Sequence, residues 1–426
     1  MRFAQNGSTF GRHTVALFAL DGLANVIDFA FHFWIGRLLV PSDFATLQTL
    51  NSVALVYTTA SGVFQPVVSR FIAEAHSKSE DNSIPVIFQT FLRAAVWLGL
   101  ILSTLVLLLA QPIGQTLNLP AWTIQISAGL IFLSTLRPIA AGALQGIENF
   151  VAFGLTRLAL SLGRILLLFL LVQAGLGLTG AVIALPFGWL VSVLCGFFLL
   201  GKPFWRRVTA PPSNLLQEGW KLSFYALLAY LAYMSLTSLD LIWVNQSLSG
   251  EAAGAYAGLV LMRRIVALLP GVAVLVMFPR VVKSLAEGKL PSLILARTAA
   301  IMLVTSGLLS LFYFMFSDQL ITIIFGSEYQ PAAPLLGWMG LAMIGTSLSS
   351  IWLNYYLAEK PLNFVIVLGM AVALEWTLLN LLPLSMQSAV LAFGLTGWLL
   401  SIAGLVLYIL NRGRLPQRDA SRLVSQ

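Results

Sequence analysis

Asp21 and Asp28 lie seven residues apart and His32 follows Asp28 by four, so the three side chains approach one face of a helix. Groups spaced this way could bind and release a proton, or could hold structural ion pairs with arginines from neighbouring helices. Such arginines exist. Arg157 and Arg164, in TRLALSLGR, are also seven apart and make one helical face basic over two turns. Arg263 and Arg264 sit side by side in LMRRIVALLPG, and Arg137, Asp240 and Glu375 each interrupt an apolar run. Arginine suits phosphate because its planar guanidinium offers paired donors and stays ionised when partly desolvated. A cluster of these arginines therefore favours an anionic cargo, whereas the carboxylates suit a coupling ion, a cationic cargo or the balancing of the arginines.

The chain that must position these groups has 426 residues, 58% of them hydrophobic and only 9% charged, with a mean hydropathy of +0.90. Such a composition belongs to an integral membrane protein. Apolar stretches of about 20 to 27 residues recur along it, each long enough to cross roughly 30 Å of hydrocarbon as a helix. They predict about twelve spans, near residues 13–36, 45–69, 86–110, 121–144, 151–173, 178–201, 221–246, 253–278, 292–316, 332–357, 363–383 and 387–410. Counting inward from these ends puts Asp28, Arg164, Arg263, Arg264 and Glu375 near the midplane, and Asp21, Arg137 and Arg157 nearer one surface. Arg93 is close enough to an end to snorkel. A charge at the centre of a lone helix costs at least about 2.5 to 3.5 kcal/mol, so these residues are expected to face a bundle interior or a water-filled cavity. Arg263 and Arg264 point about a quarter-turn apart, so only one of them is expected to face a given ligand; a later helix start would make the pair an interfacial anchor.

The net charge of +8 and the pI near 9.8 do not argue for nucleic acid, because the basic residues concentrate on alternate loops. Arg2 and Arg12, Arg70 and Lys78, Lys202, Arg206, Arg207 and Lys221, Arg280, Lys283 and Lys289, Lys360, and the tail arginines Arg412, Arg414, Arg418 and Arg422 fall on one side. That side is expected to be cytoplasmic, with both termini inside. The start MRFAQNGSTFGRH precedes a span too long and too polar for a cleaved signal sequence and is expected to be retained. Cys195 is the single cysteine, and His13, His32 and His76 are scattered, so neither a disulfide framework nor a metal centre is expected.

The polar segment Gly201 to Lys221 divides the chain into two six-span halves, 1–205 and 206–426. Internal similarity supports the division. Asp28 precedes Phe44 by 16 residues, and Asp240 precedes Tyr256 by the same 16. The spans that follow close with FQPVVSR (Phe64 to Arg70) and FPR (Phe278 to Arg280), and later LQGIENF is matched by YLAEKPLNF. With Phe44 set against Tyr256, Asn51 and Ser52 fall opposite Arg263 and Arg264, so the arginine pair is an addition to the shared scaffold. Six spans return the chain to its starting side, so the halves are parallel repeats, a plan suited to rocking about a central cavity.

The runs GRLLVPSDFATL (Gly36 to Leu47), FQPVVSRFIAEA (Phe64 to Ala75), ALQGIENF (Ala143 to Phe150), LDLIWVNQSLSGEAAGAYAGLVLMRR and FGSEYQPAAPLL (Phe325 to Leu336) together resemble the polysaccharide-transport, Wzx-like flippases of the multidrug/oligosaccharidyl-lipid/polysaccharide exporter (MOP) superfamily. The resemblance spans nearly the whole chain, with Ser42 and Ala45 standing where the family commonly has Glu and Gly. It implies an all-α integral membrane protein of about twelve transmembrane helices in two parallel six-helix lobes around a central cavity. It implies an activity too: flipping a polyprenyl-pyrophosphate-linked oligosaccharide or polysaccharide repeat unit from the cytoplasmic to the external leaflet of a bacterial inner or plasma membrane by alternating access. The candidate substrate-binding residues are then Arg164, Arg263, Arg264, Arg157 and Arg137, and the candidates for proton or sodium coupling are Asp21, Asp28, Asp240 and Glu375. The expected partners are the lipid-linked glycan, membrane lipids and glycan-assembly proteins; no cofactor and no covalent chemistry are expected. Export of drug cations on the same scaffold is the alternative. A membrane glycan polymerase or ligase is a further one, disfavoured because the predicted loops rarely exceed about fifteen residues.

Overall fold

A computed structural model describes residues 3–77, 83–206, 215–287, 289–359 and 361–411. Lys78, Arg207, Lys360 and the arginines beyond residue 411 lie outside the described residues, as do Arg2 and the side chains of Arg12, His13, Lys221 and Lys283. Among the described residues there are helices and no strands. The helices are α1 (Phe3–Leu38), α2 (Pro41–Gly62), α3 (Phe64–Ser77), α4 (Ser83–Leu108), α5 (Ala110–Leu117), α6 (Ala121–Gly146), α7 (Phe150–Gln173), α8 (Gly177–Leu200), α9 (Leu215–Leu236), α10 (Leu239–Ser247), α11 (Gly250–Ala286), α12 (Ser292–Ile324), α13 (Leu336–Glu359), α14 (Pro361–Leu381) and α15 (Met386–Asn411).

Each predicted span holds a helix or a broken pair of helices. Eight elements among the described residues are long and apolar enough to cross a membrane, and a ninth is made by α9 and α10 together, bent by 42° at their break. The other predicted spans fall on α1, on α2 with α3, and on α11. Among the described residues the protein is an all-α membrane protein whose helices fill the predicted spans, about twelve in number. The breaks have chemical causes. Gly62 ends α2, and Pro66 in the first turn of α3 has no amide to donate. Pro41 begins α2, where its fixed φ suits a first helical position, and Asp43 adds a negative charge to the first turn.

The contacts divide the chain into two compact units, Met1–Leu227 and Leu228–Gln426, with the division inside α9. In the first unit, α6 packs on α2, α3, α4 and α8, while α7 packs between α1 and α8. Asn149 caps α7, its side chain accepting from the amide of Ala152 at 3.2 Å, which fixes the start of the helix and hence the register of Arg157 and Arg164. Gly188 allows α8 to close on α7: a Cβ there would stand 2.7 Å from the Leu160 carbonyl oxygen and 2.9 Å from Arg164 Cβ. At the end of α8, Phe88 meets Phe197, Phe204 and Trp205 edge to face, and the Gln89 amide donates to the carbonyls of Phe204 and Arg206 at 3.0 and 2.7 Å.

In the second unit α13 packs on α11, α12 and α15, and α14 packs on α15, α13 and α10. Its core runs from Tyr233 and Met277 to Tyr356, which stacks on Phe364 at 4.9 Å between ring centres. Each unit thus buries its own apolar core and carries its own set of interior charges.

Candidate functional site

In the first unit the seven-residue spacings on α1 and α7 interlock. Arg164 Nη2 donates to Asp28 Oδ1 at 2.6 Å, and its guanidinium lies over the Phe31 ring, 4.3 Å from the centroid. Two turns away, Arg157 Nη2 donates to Asn25 Oδ1 at 2.9 Å, and Arg157 Nε stands 3.5 Å from Asp21 Oδ1. Asn25 in turn donates to Asp21 at 3.3 Å. Between the two readings left open by the sequence, this is the geometry of ion pairs. His32 Nδ1 pairs with Gln48 Nε2 of α2 at 3.1 Å.

Arg137, on α6, has a different setting. Its Nε donates to Ser192 Oγ at 3.0 Å, Ser192 donates to the Thr156 carbonyl at 2.7 Å, and the guanidinium lies 5.5 Å from the centre of the Trp189 ring. Asp21, Asp28 and Arg157 are its charged neighbours. Those two aspartates already face two arginines, so Arg137 is a surplus cation, with no ion pair among the described residues. On α7, Ser161 Oγ and Arg164 Nε have no hydrogen-bond partner among the described residues, and Arg157 Nε has only its 3.5 Å ion-pair contact with Asp21. Their spacing of four and then three puts these groups on one face. The first unit therefore offers spare donors and one spare positive charge, which is what an anion requires.

In the second unit the break between α9 and α10 organises the charges. Asp240 stands in the first turn of α10, where a carboxylate favours the positive end of the helix. Arg263 of α11 grips it with both terminal nitrogens, Nη2 reaching Asp240 Oδ1 at 3.0 Å and Nη1 pairing with Oδ2. The same Nη2 donates to the carbonyl of Thr237, in the break, at 2.7 Å. Arg263 stacks on Phe393, 4.0 Å from the centroid, and Tyr256 donates to Asp240 Oδ2 at 2.6 Å. Glu375, on α14, is fully buried, with no donor to either carboxylate oxygen among the described residues. Arg264 is half-buried on the adjoining face of α11.

The structure therefore brings together Asp21 with Arg157, Asp28 with Arg164, and Asp240 with Arg263, and sets Arg137 and Glu375 apart from these pairs. Asn25, Ser192, Thr237 and Tyr256 are the participants that residue type alone did not single out. Tyr256 had a signal, because the repeat places Phe44, without a hydroxyl, at the matching point. Thr237 acts through a backbone carbonyl that only the helix break makes available.

No curated protein sequence matches the chain. Solved structures do. An inward-facing multidrug resistance MATE family transporter of the MOP superfamily superposes with a TM-score of 0.76 at 14% identity, over 95% of this chain and 99% of the other. A eukaryotic MATE transporter, AtDTX14, gives 0.64 at 13% identity over 94% and 96%, and an outward-facing MATE transporter of the MOP superfamily gives 0.62 at 16% over 95% and 96%. At these identities the likeness establishes the fold. The chain also matches the family of polysaccharide biosynthesis proteins over residues 10–285, a region that includes the ion pairs of the first unit and the Asp240–Arg263 pair of the second. With the match covering well over half its length, the chain belongs to the polysaccharide biosynthesis protein family, built on the fold of the MOP-superfamily transporters.

Proposed function

We propose that the protein is a flippase that moves a polyprenyl-pyrophosphate-linked glycan from the cytoplasmic to the external leaflet by alternating access, without covalent chemistry. The observation that carries this reading is the surplus cation of the first unit, Arg137, set beside the unpartnered donors Ser161 Oγ and Arg164 Nε. A pyrophosphate supplies the missing negative charge and acceptors. Arg263 is committed to Asp240 and acts as scaffolding, and Arg164 is anchored on Asp28 through Nη2, which leaves its Nε as the spare donor. Membership of a polysaccharide biosynthesis family points to the same cargo. The loop charges favour the orientation with both termini inside, and a bacterial inner or plasma membrane, with glycan-assembly proteins as neighbours, suits such a step.

Export of drug cations is the second reading, supported by the unpaired acid Glu375 and by the multidrug resistance named for structural relatives. A test in proteoliposomes separates the two. Arg137→Gln should lower the flipping of a lipid pyrophosphate glycan at least about tenfold, the equivalent of one paired, charge-assisted contact, while leaving thermal stability unchanged. Arg137→Lys should restore part of the rate. Wild-type flipping by Arg137→Gln, or efflux of cationic dyes by the wild type without glycan flipping, would sink the proposal.

A further inference from the structure

In the second unit α12 and α15 both pack on α13 and leave a groove between them, a cavity of about 330 Å³. Its walls run from Ser292 to Leu303 on α12 and from Trp398 to Tyr408 on α15, and Leu348 and Trp352 of α13 form its floor. The outer edges Leu303, Trp398, Ile402 and Leu405 are exposed on membrane-spanning helices, so the groove opens sideways to hydrocarbon. Leu303 is 11 residues after Ser292, or roughly 16 Å along the helix. That is about half of a hydrocarbon core of ~30 Å, the depth of one leaflet. An acyl chain matches this length, whereas a polyprenyl tail is much longer.

One end of the groove is polar. Ser292, in the first turn of α12, and Tyr408, near the end of α15, share a hydrogen bond of 2.6 Å between their hydroxyls. That bond uses one of the two hydroxyl protons and leaves the other to donate outward. The Tyr408 ring is fixed by Trp352 and Tyr355, at 5.7 and 5.2 Å between centres. Gly404 lets α15 close on α13 here, since a Cβ would collide with the Trp352 ring.

The same end is also cationic. The first amides of α12 point outward without intrahelical acceptors, the positive end of its dipole. Arg297 directly follows the lining residue Ala296, is exposed, and makes no ion pair among the described residues. Helical side chains lean toward the N-terminus, so Arg297 reaches back toward the turn of Ser292. A lone cation on a lipid-facing helix near its end snorkels to the head groups and draws an anionic one.

We propose that this groove binds one acyl chain of an anionic phospholipid, with its phosphate on Arg297 and the Ser292–Tyr408 hydroxyl pair. The lipid bridges α12 and α15 across α13 and belongs to the leaflet that meets the α11–α12 loop. A zwitterionic lipid fits the groove equally well and differs only in net charge.

Native mass spectrometry of the purified full chain, mixed with phosphatidylglycerol and phosphatidylcholine of identical acyl chains, reads the site. No glycan is present, so the outcome is independent of the flippase reading. The wild type should retain one phospholipid per chain and favour phosphatidylglycerol about fivefold, the share of one basic residue near the membrane surface. Arg297→Gln should abolish the preference while still retaining lipid. Ala299→Phe, which fills the groove, should release both lipids. Both variants should unfold at the wild-type temperature in lipid-free detergent, which separates a lost ligand from a lost fold. Arg93→Gln removes an exposed arginine of α4, in the first unit, and should keep the preference. Equal retention of the two lipids by the wild type, a preference that survives Arg297→Gln or is lost in Arg93→Gln, or undiminished retention by Ala299→Phe overturns the proposal. So does displacement of the phospholipid by a polyprenyl phosphate, which would give the groove to the cargo, or a mass of two protein chains without lipid, which would give it to a second copy.

Discussion

Asp28 and Asp240 occupy matching positions in the two repeats, 16 residues before Phe44 and Tyr256, yet arginines on non-matching helices neutralise them. Asp28 takes Arg164 from α7, whereas Asp240 takes Arg263 from α11, the counterpart of α2. The counterpart of α7 is α14, and it carries an acid instead. The repeat fixes where an acid stands but not which helix supplies its partner. Each unit consequently ends with a different surplus, a cation at Arg137 and an acid at Glu375. The two pairs also differ in access to solvent: the side chains of Arg164 and Asp28 are 10% and 26% exposed, those of Arg263 and Asp240 2% and 0%.

Burial makes Arg263→Met the most damaging change expected. It strands Asp240 with only Tyr256 as a donor, and breaking a fully buried pair costs about 3–5 kcal/mol. Much of this loss should return in the double variant Asp240→Asn/Arg263→Met, since removing both charges leaves nothing stranded. Arg164→Met should cost less, because Asp28 is only partly buried. Unfolding monitored by thiol-independent fluorescence in detergent reads all three variants. Equal losses for Arg263→Met and Arg164→Met would erase the distinction between the two pairs.

Tyr256→Phe gives the second unit the residue that the first has at the matching point. It deletes one hydrogen bond to a charged acceptor, worth about 1.5–3 kcal/mol, while Arg263 remains in place. A destabilisation well below that range would mean that Arg263 satisfies Asp240 alone. Gly188→Ala probes the first unit from behind. The added methyl meets the Leu160 carbonyl and Arg164 Cβ, and such overpacking costs about 1–3 kcal/mol. Combined with Asp28→Asn it should cost less than the sum of the two changes, because both displace Arg164 from the same seat. Strict additivity would show that the helix contact and the ion pair are independent.

Much of this architecture was legible in the sequence because a membrane demands it. The twelve spans follow from hydrophobic length, and the i, i+7 spacings of Asp21, Asp28, Arg157 and Arg164 announce two faces that meet. Partner choice was not legible. Whether Arg263 or Arg264 turned toward Asp240 depended on helix phase, and the carbonyl of Thr237 enters only because α9 and α10 break apart, a bend that an apolar run does not disclose. The isolation of Glu375 was equally hidden, since an acid's lack of donors is a property of packing and not of residue type. His32 shows the limit from the other side: it shares a helix with Asp21 and Asp28 yet bonds across to Gln48.

The smallest expected effect belongs to Arg157→Gln, and it sharpens the comparison within one unit. Arg157 and Asp21 are 38% and 49% exposed, their closest approach is 3.5 Å, and the hydrogen bond that Arg157 makes is to the neutral Asn25. Screening by water limits an exposed pair of this kind to less than about 1 kcal/mol. Arg157→Gln and Asp21→Asn should therefore show almost no coupling in a double-mutant cycle, while Arg164 and Asp28, two turns along the same helices, show clear coupling. Loss of the weak pair should leave stability nearly unchanged and release the Asn25 side chain. A coupling between Arg157 and Asp21 as strong as that between Arg164 and Asp28 would mean that water does not enter this end of the α1–α7 seam. Arg157 would then be held in place like Arg164, and Arg137 would be left as the one cation of the three without an ion pair, able to meet a phosphate.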